Sequence, residues 1–387
     1  MSSNLKQLAF VEALSIESPH TFSGTSRHIA NSLVQDQARA VNRCDRLRYQ
    51  QGPQIYLRRL LYNKLLKKRR GDYFFDTEPS VLRQQFSRVS EKLKANDQAI
   101  LVTQAHMAAY MQTELPIILY TDANYVSLFD FYYHRRAEVS KRNAMNAERR
   151  GFSRLARACF SSEWARRIAI EKHAYPEERT CVIPFGTNLE NEPNESDITS
   201  LIESRPQKPV RFLFVGYEWE RKGGDIVIQV LEKLQRDYHL PVRLDVLGPS
   251  ASQIGPVPEF VQLHGKIDRS SPAGDDKYRS FLQANDFYFM PSRAECTPMS
   301  ISEAARYGLP SISSRAGGIP SMVQDNVTGL LANLDCSPDT YAQRIHDLIN
   351  HPDRYRAMAR AAFNFAAKNF SWANSTGRLV EEIESLL

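Results

Sequence analysis

Phe212-Leu-Phe-Val-Gly216-Tyr-Glu-Trp-Glu-Arg221-Lys222-Gly223-Gly224 is the stretch that decides the fold. A continuous apolar run ends in a glycine, two adjacent cations follow, and a glycine pair leads onward. Beyond it Ile226, Val227, Val230, Leu231 and Leu234 recur at helical spacing. A strand that is apolar throughout, rather than alternating, is buried on both faces, as in a parallel sheet covered by helices. The second half repeats this unit, with short apolar runs at 210–216, 242–248, 261–265, 287–292 and 310–314. Most are separated by enough residues for a helix.

The first half follows the same plan. Residues 8–11 read as a first strand, Gly24-Thr25 as the turn after it and 26–35 as a helix. Later strands are expected at 99–103, 117–121, 158–161 and 180–184. The stretch 190–209 is rich in Asn, Glu, Ser and Pro, which is linker composition. The expected organisation is therefore two α/β, doubly wound parallel-sheet domains, 1–190 and 209–369, with a final segment 370–387. Open parallel sheets bind ligands at the carboxyl ends of their strands, so the chemistry should sit in the loops that follow strands.

The 387 residues are 42% hydrophobic and 24% charged, ordinary globular proportions. Five widely spaced cysteines with no CxxC pair argue against a disulfide framework or a zinc site and fit a reducing cytosol. No signal peptide or membrane-spanning run is visible, so a cytoplasmic location is expected. Residues 1–190 hold 29 Lys+Arg against 19 Asp+Glu, whereas the whole chain carries only +6. A basic front half suits nucleic acid, anionic lipid or a phosphorylated substrate. Absent motifs narrow the chemistry: there is no GxGxxG after the first strand, no GxxxxGK[ST], no GxSxG, no HExxH and no prominent DxD.

A second constellation follows the run at 287–292: Arg293-Ala-Glu295-Cys296-Thr297-Pro298-Met299-Ser300-Ile301-Ser302-Glu303. Two carboxylates stand eight positions apart, the first in a loop and the second in the first turn of a helix. Backbone N–H groups between them suit a phosphate, and a carboxylate can grip vicinal hydroxyls of a sugar. The same Ser300-x-x-Glu303 is also a capping box that needs no ligand. For the cations, Arg221 offers a fork and Lys222 a point charge to a diphosphate; a solvated charged loop is the other reading.

Together these elements resemble the donor site of the retaining, nucleotide-sugar-dependent glycosyltransferases of family 4, which have the GT-B fold. Glu295 to Glu303 resembles that family's E-x7-E motif, and Gly216 through Lys222-Gly223-Gly224 its strand, glycine and lysine-glycine element. Ser161-Ser162-Glu163-Trp164 and Val182-Ile183-Pro184-Phe185-Gly186 resemble segments that close the first domain. Phe370-Ser371-Trp372 resembles the start of a final helix that crosses back to it. The resemblance implies two Rossmann-like domains facing across a cleft, with the acceptor on the first and the donor on the second. It implies that Glu303 binds the ribose hydroxyls and Glu295 the transferred hexose. Arg221 and Lys222 would neutralise the diphosphate, Thr297, Pro298, Met299 and Ser300 would present backbone amides to it, and Gly24 would allow its close approach. No metal and no cofactor are implied beyond the donor, for which a UDP-sugar is favoured by family prevalence.

The chain departs from the pattern in places. Tyr217 stands where many relatives carry Arg after the strand glycine, and Glu295-Cys296-Thr297-Pro298 replaces the usual E-G-F-G. Many relatives place a His near the reacting sugar in the first domain; Asp122 and His106 are the candidates here, each equally compatible with a structural role. The expected function is retaining, metal-independent hexosyl transfer to the hydroxyl of a small molecule, glycan or glycolipid. The alternatives are a sugar phosphorylase, a nucleotide-sugar epimerase, or a non-catalytic basic protein that binds lipid or polyanion. Nucleic acid is not an expected partner, since no recognition motif accompanies the charge.

One further segment, 56–70, holds seven cations: Arg58, Arg59, Lys64, Lys67, Lys68, Arg69 and Arg70. Leu57, Leu60, Leu61 and Leu65 fall on one helical face, with Leu66 beside them. The pattern fits weak peripheral contact with anionic lipid or a basic helix packing its leucines on the domain core, and packing is the expectation.

Overall fold

Among the residues described by the computed structural model (4–18, 20–49, 52–66, 71–129, 131–133, 135–206 and 208–387), twelve strands form two six-stranded sheets, parallel throughout. The first sheet comprises β1 (Gln7–Val11), β2 (Ala40–Cys44), β3 (Ile100–Val102), β4 (Ile117–Thr121), β5 (Leu155–Phe160) and β6 (Thr180–Val182), in the order β2-β1-β3-β4-β5-β6. The second comprises β7 (Val210–Val215), β8 (Val242–Leu247), β9 (Val261–Gly265), β10 (Phe287–Met290), β11 (Ser311–Ser314) and β12 (Gly329–Ala332), in the order β12-β11-β10-β7-β8-β9. Contacts divide the chain into one unit of 1–185 with 372–387 and another of 186–371.

Central strands are apolar because helices cover both of their faces. Leu8, Phe10 and Val11 in the first unit, and Phe212, Phe214, Phe287 and Phe289 in the second, have no exposed surface. The Gly224–Tyr238 helix buries Val227, Val230, Leu231 and Leu234 as their spacing predicts. In each sheet the chain moves outward from its first strand and later returns to that strand's other side. This places a topological switch point between β1 and β3, and another between β7 and β10.

The final helix, Trp372–Glu384, packs in the first unit, where Leu379, Val380 and Ile383 are buried. Thr376 Oγ1 lies 2.8 Å from Ser32 Oγ, and Ser375 Oγ donates to the Pro184 carbonyl at 2.6 Å.

Two expectations need correction. The linker-like stretch contains a helix, Glu195–Glu203, because Asn194 caps it by accepting from the Asp197 N–H, and Ile198 and Ile202, four apart, are buried. In the basic segment, Leu57 is 63% and Leu61 44% exposed, so these two do not pack on the core, while Leu60 is half-buried and the side chains of Leu65 and Leu66 lie outside the described residues. Ile55 is the buried anchor of the Pro53–Leu60 helix, which turns Tyr56 and Leu57 outward. Lys67, Lys68, Arg69 and Arg70 lie outside the described residues.

Candidate functional site

Gly216 opens the turn that follows β7. A Cβ there would lie 2.0 Å from Lys222 Cδ, so only glycine lets the lysine fold back across the strand end. Gly223 is left-handed at φ +77°, and a Cβ would sit 2.2 Å from the Pro291 carbonyl oxygen. Trp219 packs edge-on against Phe214 at 5.0 Å. The Arg221 carbonyl accepts from Arg293 N–H at 2.7 Å and from Ser292 Oγ at 3.1 Å, which ties the turn to the end of the neighbouring strand β10.

Three of the expected residues meet at this switch point. Lys222 Nζ donates to Glu295 Oε1 at 2.7 Å, and Arg221 Nη1 donates to the same oxygen at 2.9 Å. Arg221 also reaches Glu218 Oε2 through Nε at 2.8 Å and Nη2 at 2.5 Å, and donates to the Ala294 carbonyl. The Glu295 side chain is 6% exposed, against 15% for Lys222 and 17% for Arg221. Burial pushes the Glu295 carboxyl up, but the Lys222 ammonium and Arg221 guanidinium outweigh burial and hold it below the usual carboxylate range. The cations expected to face a diphosphate are thus held by the carboxylate expected to face the hexose.

Glu303 sits apart from that cluster, in the second turn of the Met299–Arg306 helix rather than its first. The capping box does not form. Pro298 occupies the N-cap position, so Ser300 lies inside the helix and its Oγ pairs with Tyr288 Oη at 2.6 Å. Glu303 instead accepts from Arg269 Nη1 on Oε1 at 2.9 Å and from Tyr278 Oη on Oε2 at 2.6 Å. Burial, with Glu303 beside it, drives the Tyr278 phenol well above its usual range. Neither Arg269 nor Tyr278 was visible as a site residue in the sequence: they precede Glu303 by 34 and 25 positions and belong to no spaced pattern with it. Of the residues expected to offer amides, Thr297, Met299 and Ser300 carry an N–H, but Pro298 has none. The Gly318 N–H donates to the Glu295 carbonyl at 3.2 Å, so the loop after β11 also braces the motif.

The remaining candidates belong to the first unit. Gly24 is the left-handed N-cap (φ 81°) of the Thr25–Gln35 helix, and Phe22 and Ser23 before it are also left-handed. Beneath this turn, buried Glu12 follows β1 and accepts from Ser26 Oγ and Thr103 Oγ1, each at 2.6 Å. Asp122 follows β4 and is half-buried. His106 is 6% exposed, with its ring 6.2 Å from Phe86 and 5.2 Å from Tyr125. Burial lowers its pKa to about 4, so it is neutral at physiological pH.

Comparison with solved structures places this architecture. Sucrose-phosphate synthase from Thermosynechococcus elongatus superposes with a TM-score of 0.69 at 16% identity, covering 98% of this chain and 99% of that one. The Anabaena Alr3699/HepE protein, solved with UDP and glucose, gives 0.64 at 16% identity, covering 98% and 100%. The fold is GT-B. Residues 198–365, which carry Arg221, Lys222, Glu295 and Glu303, match the family model described as Glycosyl transferases group 1. Among curated proteins, D-inositol 3-phosphate glycosyltransferase of Corynebacterium urealyticum is 30% identical over 181 residues, 45% of this chain and 42% of that one. The protein of the same name from Nocardia farcinica is 27% identical over 237 residues, 59% and 52%. The chain thus spans about half the length of the curated relatives it matches.

Proposed function

We propose that this GT-B protein transfers a hexose from a nucleoside-diphosphate sugar to an acceptor hydroxyl, retaining anomeric configuration and using side-chain cations in place of a metal. The observation that carries the reading is the Arg221–Lys222–Glu295 cluster at the β7/β10 switch point. Two cations sharing one carboxylate oxygen can exchange it for a diphosphate, whose greater charge competes for both. The exchange frees Glu295 to accept hydrogen bonds from hexose hydroxyls, while Glu303 takes the ribose. As the bond from the anomeric carbon to the leaving phosphoryl oxygen breaks, negative charge gathers on that oxygen. Arg221 and Lys222 stabilise it there, already in place and largely shielded from water. The acceptor oxygen attacks from the same face, and its proton passes to the leaving diphosphate. A UDP-sugar is the favoured donor, supported by the complex of a structural neighbour with UDP-glucose. The name shared by the curated relatives puts a phosphorylated cyclitol first among acceptors to try.

The test is nucleotide release from UDP-, GDP- and ADP-hexoses against an acceptor panel, with the product anomer assigned by NMR. Acceptor-dependent release with a retained anomer, undiminished by EDTA, is expected. Loss of activity in EDTA that Mg²⁺ restores contradicts the metal-independent account. Cleavage that requires inorganic phosphate identifies a phosphorylase instead.

A further inference from the structure

We propose that Tyr278 and Arg269 are positioning residues that fix the Glu303 carboxylate so that its two remaining acceptor sites match a vicinal diol, making the site selective for ribonucleotides. The inference rests on the reading of Glu303 as the ribose ligand. A carboxylate offers about four lone-pair sites, two on each oxygen. Here each oxygen is engaged once, Oε1 by Arg269 Nη1 at 2.9 Å and Oε2 by Tyr278 Oη at 2.6 Å. One acceptor position then remains on each oxygen for the two hydroxyls of a ribose.

The orientation is held from behind. Arg269 Nη2 donates to the Asn188 carbonyl at 2.8 Å, and its guanidinium lies over the Tyr278 ring, 4.1 Å from the centroid. Arg269 is also 3.6 Å from the Asp275 carboxylate, which Arg279 Nε approaches at 3.2 Å from the other side. Glu303 is 2% exposed and Tyr278 also 2%. Rotation of the carboxylate would break two charge-assisted hydrogen bonds where little water can replace them. An ion network with a purely structural role would hold the helix equally well, but would not distinguish one sugar from another.

Calorimetric titration with UDP and with 2′-deoxy-UDP separates these cases. If the panel above selects another base, the matching ribo and deoxyribo pair is used. Wild type should bind the ribonucleotide about tenfold or more tightly, the scale of one lost hydrogen bond to a charged group. Tyr278→Phe removes only the hydroxyl and should shrink that ratio severalfold, chiefly by weakening UDP, with kcat at saturating donor retained. Arg269→Ala should act likewise, and Arg269→Lys should recover part of the ratio. Arg269→Lys and Arg269→Ala carry the test alone if Tyr278→Phe does not fold. A wild-type ratio in all folded variants, even with a lowered Tm, overturns the positioning role and leaves the ribose assignment standing. Equal binding of UDP and 2′-deoxy-UDP by wild type overturns the ribose assignment itself.

Discussion

Replacing Glu295 with Gln should abolish transfer yet tighten the grip on free nucleotide. One Glu295 oxygen neutralises both Lys222 and Arg221, at 2.7 and 2.9 Å. Gln keeps the volume and one acceptor oxygen but removes the charge, so two cations lose their shared counter-ion. Breaking a buried pair by removing one partner costs about 3–5 kcal/mol. Both cations retain some exposure and Arg221 keeps Glu218, which brings the expectation to about 2–3 kcal/mol. For a unit of this size that is a fall of about 4–12 °C in Tm. A diphosphate restores the missing negative charge, and in the variant it no longer has to displace a carboxylate. Saturating UDP should therefore recover most of the lost Tm, and UDP should bind about tenfold more tightly than to wild type, equivalent to about 1.4 kcal/mol. Scanning calorimetry with and without UDP, paired with titration calorimetry, reads both quantities. An unchanged Tm together with unchanged or weaker UDP binding would refute the exchange of carboxylate for diphosphate.

Three other outcomes are expected. Because the Glu295 carboxyl is held below its usual range, its contribution is fully present above the ordinary value of about 4.3 and is lost as pH falls through the lower folded-state value. Urea unfolding should accordingly show a constant gap between wild type and Glu295→Gln near neutral pH that narrows only as pH falls below about 4.3; a gap independent of pH would disprove the ionic origin. Gly216→Ala should depress turnover and lower Tm less than Gly223→Ala, since the added Cβ meets the flexible stem of Lys222, whereas Gly223→Ala meets backbone at positive φ and should destabilise by about 1–3 kcal/mol. Outward-facing Tyr56, Leu57 and Leu61 beside Arg58, Arg59 and Lys64 should let the protein sediment with anionic vesicles at low salt, with Leu57→Ser plus Leu61→Ser left in the supernatant; wild type remaining in the supernatant would remove the lipid reading.

The central strands were legible in the sequence because burial on both faces leaves a continuous apolar signature, as in Phe212-Leu-Phe-Val and Phe287-Tyr-Phe-Met. Edge strands β2 and β12 were not. Ala40–Cys44 is partly exposed and alternates with polar residues, and Gly329–Ala332 is four residues opened by glycine. Arg221, Lys222 and Glu295 were legible because each closely follows a strand that was itself visible. Tyr278 and Arg269 were silent, since what makes them matter is a contact with Glu303 that only the packed helices create. The capping-box pattern at Ser300 and Glu303 misled for a local reason: Pro298 sets the start of the helix two residues earlier than the motif requires. Exposure of Leu57 and Leu61 was equally hidden, because a leucine stripe reads the same whether it faces a core or solvent.

The most direct test of the central claim is titration calorimetry of the wild-type chain and an Arg221→Ala, Lys222→Ala double variant with UDP, GDP and ADP and their hexose conjugates. One nucleotide series should bind wild type at a single site, and the double variant should lose about a hundredfold or more in affinity for the diphosphate while remaining folded. Failure of wild type to bind any of these nucleotides, or equal binding by the folded double variant, would contradict the assignment of this cluster as the donor site.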